Sequence, residues 1–134
     1  EIDLTGLSKL KRKLSWPVKG QMLHRFGTRK QGYLKWKGVL ISSPISRQVQ
    51  TIYNGTVLFS DWLKGYGLLT VIDHGNGYMS LYAHNQALLK SVGEQVESGE
   101  PIALIGQSGG LKQPGLYFEI RHRGEAVNPK LWCR

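Results

Sequence analysis

The chain is poor in cysteine, poor in acid and free of long apolar runs, and each shortage removes a class of explanation. One thiol, Cys133, among 134 residues allows neither an internal disulfide framework nor a cysteine zinc cluster. No apolar run approaches the roughly eighteen residues a membrane helix needs, and no signal-type leader is visible. Because the sequence opens on a mixed polar stretch at Glu1, it is expected to be the C-terminal domain of a longer protein, with any such element outside it. Acid is scarce: nine Asp or Glu face eighteen Lys or Arg, a formal net charge of +9. The excess is local. Residues 1–37 carry ten cations, from Lys9 to Lys37, against Glu1 and Asp3, whereas the remainder is almost balanced. Such a field attracts an acidic partner or an anionic surface, although the Lys9–Lys13 run reads equally well as a solvated linker. Nucleic acid fits poorly, since the aromatic residues are not interleaved with the cations as stacking platforms and no groove-reading helix is apparent.

What the chain does have is glycine, 17 of them, spaced among short β-branched and aromatic runs. That pattern predicts an all-β domain of many short antiparallel strands. Residues 1–15 read as a basic linker or the end of an upstream helix, and Trp16-Pro17 as the start of the compact domain, 16–134, because proline stops a helix there. Asn54-Gly55 is expected to turn Thr51–Tyr53 back onto Thr56–Phe59 as a hairpin. His74-Gly75-Asn76-Gly77 should join Leu68–Asp73 to Tyr78–Ala83, and Arg123-Gly124 should return Leu116–Arg121 onto Ala126-Val127. Residues 92–106 read as short strands with glycine corners, a sheet folding over on itself.

Several ordered motifs make a family visible. Arg25-Phe26-Gly27, Gly65-Tyr66-Gly67, Asp73-His74-Gly75-Asn76-Gly77, Leu81-Tyr82-Ala83-His84, Ser108-Gly109 and Phe118-Glu119-Ile120-Arg121 with Val127-Asn128-Pro129 resemble the LytM, or lysostaphin-type, metallopeptidase domain, from about residue 16 to the end. The resemblance implies a β-sandwich or barrel-like fold with an open groove. Active members of that family hold zinc with a His and an Asp in His-x-Gly-x-Asp and with the second His of His-x-His, while two further histidines assist the attacking water. Here the first motif falls on Trp36-Lys37-Gly38-Val39-Leu40 and the second on Gly115-Leu116-Tyr117. Trp36, Leu40 and Tyr117 stand in the ligand positions, and of the five functional positions, four histidines and one aspartate, only the histidine at His84 is left. A tetrahedral zinc with an open water position needs three protein donors, so the resemblance implies no cofactor and no peptidase chemistry.

Alternation along the strands places Trp36, Gly38 and Leu40 on one face, Tyr82 with His84 on another strand, and Gly115 with Tyr117 and Glu119 on a third. A groove retained there would present Trp36, Leu40, Tyr82 and Tyr117, flanked by Lys37 and Arg121, with Leu69 at its edge. Apolar anchors with a cationic rim suit an acidic amphipathic helix. In the non-catalytic branch of the family, the resemblance implies, the groove engages a periplasmic zinc N-acetylmuramoyl-L-alanine amidase and relieves its autoinhibition during daughter-cell separation. It implies also an upstream coiled coil, through which a division ABC-transporter-like complex controls access, and a place in the Gram-negative periplasm. Peptidoglycan is a further expected partner. Two other readings stand beside this one: an active zinc endopeptidase of peptidoglycan cross-bridges, and a module that binds anionic polymers or glycans.

Overall fold

A computed structural model describes residues 6–134. Thirteen strands follow one another: β1 (Gln21–His24), β2 (Arg29–Gln31), β3 (Leu34–Lys35), β4 (Val39–Ser42), β5 (Gln48–Gln50), β6 (Gly55–Leu63), β7 (Gly67–Gly75), β8 (Tyr78–Asn85), β9 (Ala87–Leu88), β10 (Gln95–Val96), β11 (Pro101–Leu104), β12 (Gly115–His122) and β13 (Glu125–Val127). Single 3-10 turns at Ser108–Gly110 and Pro129–Leu131 are the only helical pieces among the described residues. The large sheet runs β1-β4-β12-β8-β7-β6-β10 with β13 paired to β12, a small sheet runs β5-β11-β9, and β2 and β3 form a two-stranded arm. Every strand pairing is antiparallel, in agreement with the all-β expectation.

The two faces of the large sheet do different things. Val39 and Ile41 of β4, Ile72 of β7, Tyr82 of β8 and Phe118 and Ile120 of β12 point inward. There they pack with Val49, Ile102 and Ala103 of the small sheet into the main core. Residues one step out of phase, Leu69, Leu81 and Ala83, form a smaller cluster on the opposite face, roofed by Tyr66 and Tyr117. Period-two alternation thus builds a sandwich on one side and a floor for a groove on the other.

Two of the three expected hairpins form. Asn76 and Gly77 take φ of 52° and 79° between β7 and β8, and Arg123 and Gly124 take 53° and 83° between β12 and β13, as a tight two-residue turn requires. The third does not. Thr51–Tyr53 is not a strand, and β6 pairs instead with β7 and β10. Distant groups, not a hairpin partner, satisfy this stretch: Thr51 N donates to Glu100 O and Thr51 O accepts from Gly99 N, both at 3.0 Å, Ile52 N donates to Tyr82 Oη at 3.0 Å, and Thr51 Oγ1 donates to Tyr53 O at 2.8 Å. Once those groups are bonded, nothing is left to favour the hairpin.

The segment before Trp16 also contributes more than a linker would. Leu7 and Leu14 are 0% and 6% exposed in the main core. Trp132 Nε1 donates to Leu7 O at 2.8 Å, and Leu14 bridges Cys133 in parallel. Packing therefore reaches back at least to Leu7, through turns rather than a helix; residues 1–5 lie outside the described part.

Candidate functional site

On the outer face of the large sheet lies an open groove of about 490 Å³, lined by Trp36, Leu40, Tyr66, His84, Tyr117 and Glu119, with Lys30, Leu34, Lys35 and Lys37 along one side. Each wall has a local cause. Leu40 faces outward because Val39 and Ile41, its neighbours in β4, face the core. Trp36 is pinned where the β2–β3 arm rejoins the sheet, its backbone N donating to Thr28 O and its O accepting from Gly27 N, both at 2.8 Å. Its ring stacks on His24, centroids 4.4 Å apart, and Lys30 Nζ sits 4.6 Å from the ring centroid. Such a cation is held over the ring's negative face.

The opposite wall depends on two glycines. A Cβ at Gly67, whose φ is +67°, would lie 2.4 Å from Ser108 Oγ and 2.8 Å from Gly109 N, so only glycine lets the β6–β7 turn meet the Ser108–Gly110 turn. Ser108 Oγ then accepts from Leu68 N at 3.0 Å and donates to Asn85 O at 2.6 Å, fixing Tyr66 against the groove.

Tyr117 is the centre of the floor. Its ring lies 6.1 Å from Trp36, 6.3 Å from Tyr66 and 6.5 Å from His84. Its hydroxyl donates to Glu119 Oε2, and Arg121 Nε donates to Glu119 Oε1 at 2.7 Å. Alternation along β12 puts these three side chains on one face, and the Glu119 carboxylate, only 1% exposed, is held between a phenol and a guanidinium. Burial, with the neighbouring carboxylate, drives the Tyr117 pKa upward, so its proton stays on oxygen. His84 Nδ1 lies 2.7 Å from Ser108 O, which only accepts, so Nδ1 carries the proton; burial lowers the pKa of this ring.

The donor chemistry of the floor does not fit a zinc ion. Glu119 spends both oxygens on Tyr117 and Arg121, and a guanidinium beside the carboxylate opposes a second cation. That leaves Nε2 of His84 in a lining shared with Trp36, Leu40 and Tyr117, where three donors are needed. Among the described residues no three His, Cys, Asp or Glu side chains are grouped to hold a metal elsewhere.

Of the eight residues that the sequence points to, five line the groove: Trp36, Lys37, Leu40, His84 and Tyr117. Tyr82 does not. It is fully buried in the main core, with its hydroxyl bonded to Ile52 N and 2.7 Å from Ser80 Oγ. His84 has φ of 69°, and this left-handed residue breaks the alternation that would otherwise put Tyr82 and His84 on one face. Leu69, 2% exposed, lies beneath Tyr66 and Tyr117 and not at the groove's edge. Arg121 is outside the lining and reaches it through Glu119. Sequence reading placed Glu119 on the face of Tyr117 without giving it a role, and it passed over Tyr66, Lys30 and Lys35 as lining residues. Tyr66 had a signal, an aromatic residue isolated between two glycines in a quoted motif.

A sandwich of this topology with an open groove on its outer face defines the class, and the chain belongs to peptidase family M23, whose family model matches residues 34–129. Among curated proteins, it is 52% identical over 127 residues to "Murein hydrolase activator EnvC" of Escherichia coli K12, covering 95% of this chain and 30% of that protein. It is 36% identical over 115 residues to "Murein hydrolase activator NlpD" of the same organism, covering 85% of this chain and 29% of that protein. The chain thus spans about a third of the length of these relatives. Among solved structures, a zinc-containing peptidase from Vibrio cholerae superposes with a TM-score of 0.82 at 28% identity, covering 90% of this chain and 40% of that one.

Proposed function

We propose that this domain is a non-catalytic murein hydrolase activator whose groove receives the regulatory helix of a periplasmic zinc N-acetylmuramoyl-L-alanine amidase. The observation that carries the reading is the groove floor, where Trp36, Leu40 and Tyr117 come together; by the motif resemblance these are the positions at which zinc-dependent members would place their ligands. The donors left there do not suffice for a metal that could activate water. Two relatives bearing the name murein hydrolase activator, one at 52% identity, support the same conclusion. The floor offers aromatic and aliphatic anchors, and Lys30, Lys35 and Lys37 place charge along one side only. An amphipathic helix matches this surface, its apolar stripe on Tyr66 and Tyr117 and its acidic flank toward the β2–β3 arm. The setting is the Gram-negative periplasm at the division site. A coiled coil upstream of this domain would link it to an ABC-transporter-like complex, with peptidoglycan as the amidase's substrate.

The test is release of dye from labelled peptidoglycan by this domain, by the amidase, and by the mixture. Release by the amidase is expected to rise only in the mixture, and the rise to fall at least about tenfold with Lys37→Glu or Trp36→Ala, both of which alter the groove without opening the core. Release by the domain alone, or full stimulation by both variants, would overturn the reading.

A further inference from the structure

A second cavity, of about 530 Å³, lies on the other side of β4 from the groove: Val39 lines it, while its neighbour Leu40 lines the groove. Its floor is apolar, built from Trp16, Met22 and Phe26, all half-buried, with the Trp16 ring edge-on to Phe118 at 6.3 Å. Its rim is cationic. Arg12, Arg25, Lys130 and Arg134 surround it, and no acidic residue is among its lining. Among the described residues the two ion pairs, Lys90–Glu100 and Arg121–Glu119, lie elsewhere, and none of these four cations is paired with a described acidic side chain. Arg12 is held there in a left-handed conformation, φ 65°, by its backbone N donating to Leu131 O at 2.9 Å. Four like charges around one hollow repel one another, and an anion seated between them relieves that repulsion.

We propose that this cavity is a second binding site, independent of the groove, for an acidic peptide segment that carries an apolar side chain among its carboxylates. The arrangement selects that chemistry. Three arginines and a lysine spread around the rim suit several separated carboxylates, where one phosphate would draw the cations to a point. The Trp16, Met22 and Phe26 floor takes an aliphatic or aromatic side chain. Asn128, in the lining, accepts from Lys130 N through Oδ1 and keeps its amide N–H groups to donate to a peptide carbonyl. A concave floor does not press into a bilayer surface, which sets anionic lipid aside.

The test uses the 134-residue chain, isotope-labelled, titrated with a blocked pentapeptide of four glutamates around a central leucine. Controls are the same peptide with glutamines, inorganic phosphate, and vesicles of phosphatidylglycerol in phosphatidylcholine. The expected result is saturable movement of the Trp16 indole N–H and Met22 methyl signals, with a dissociation constant below roughly 1 mM, while the Trp36 indole stays still. Arg25→Ser with Lys130→Ser, two exposed positions, should weaken it at least tenfold with thermal unfolding unchanged. No saturable movement, an equal response to the glutamine peptide, phosphate or vesicles, movement at Trp36 in place of Trp16, or undiminished binding by the double variant would each overturn the site. Amidase stimulation is read separately, so failure here leaves the groove's role untouched.

Discussion

Arg121 looks from the sequence like a charge offered to a partner, and the geometry assigns it a different job that a double-mutant cycle can isolate. Its Nε donates to the Glu119 carboxylate, whose other oxygen accepts from Tyr117. Replacing Arg121 with Met leaves Glu119, 1% exposed, with an uncompensated charge. Removing one partner of a buried pair costs about 3–5 kcal/mol. The Arg121 side chain is 26% exposed, however, so water can replace part of what is lost, and about 2 kcal/mol is the appropriate figure. Glu119→Gln removes the charge but keeps the shape, and leaves Arg121 able to turn to solvent; about 1–2 kcal/mol is expected. The double variant buries no charge, so it should cost less than the sum of the singles by about 1 kcal/mol or more.

Urea unfolding at neutral pH, followed by tryptophan fluorescence, measures all four proteins, with the midpoint compared at constant slope. Additivity within about 0.5 kcal/mol would refute the linkage. A second cycle, of Arg121→Met with Tyr117→Phe, divides positioning from contact in function. If Arg121 acts by holding Glu119 and hence Tyr117, Arg121→Met lowers amidase stimulation in the parent and has little further effect once Tyr117→Phe has removed the hydroxyl. Equal proportional losses in both backgrounds would show that Arg121 meets the partner directly. Charge reversal at Arg121 is a poorer experiment, since a second carboxylate beside Glu119 would unsettle the floor itself.

His74 is fully buried, with Nδ1 2.7 Å from Asn54 O and Nε2 2.7 Å from Ser80 Oγ, and burial lowers its pKa from 6.5 to about 4. Its folded pKa is below the unfolded one, so stability is lost as pH falls from 6.5 toward 4, by up to ~3 kcal/mol; urea midpoints at pH 7 and pH 5 should separate in the parent and converge in His74→Gln. Gly38→Ala would put a Cβ 2.3 Å from Phe118 O and 2.7 Å from Glu119 Cγ. Since the β4–β12 pairing cannot yield locally, a melting temperature lower by roughly 6 °C or more is expected, and an unchanged one would show that the strands separate freely. Cys133, 1% exposed and with its thiol pKa pushed up to about 12 by burial, should resist Ellman's reagent at pH 8 until urea unfolds the chain; labelling of the native protein at the rate of a free thiol would contradict its placement.

Where residues carried a local rule, the sequence was readable, and where a distant group overrode the rule it was not. Asn76-Gly77 and Arg123-Gly124 turn as expected because a two-residue hairpin needs nothing beyond positive φ at those two positions. Asn54-Gly55 offers the same dipeptide, yet the stretch before it is claimed by Tyr82, thirty residues away, whose hydroxyl accepts from Ile52 N. Leu7 and Leu14 carried too weak a pattern to announce that residues before Trp16 enter the core, because their partners, Trp132 and Cys133, are at the other end of the chain.

The groove divides along the same line. Leu40 and Tyr117 were legible because β4 and β12 alternate without interruption, and the motif positions that would hold zinc's ligands fix Trp36 beside them. Tyr82 was misplaced by a single left-handed residue, His84, which no period-two count can detect. Leu69 fell on the correct face but at the wrong depth, under the Tyr66 and Tyr117 rings, since alternation reports which way a side chain points and not what covers it. Arg121 shows the same limit for charge. Its face was right, but its partner proved to be a carboxylate two residues back on its own strand, so the charge left to greet an occupant comes from Lys30, Lys35 and Lys37 on an arm whose position depends on two backbone bonds to Trp36.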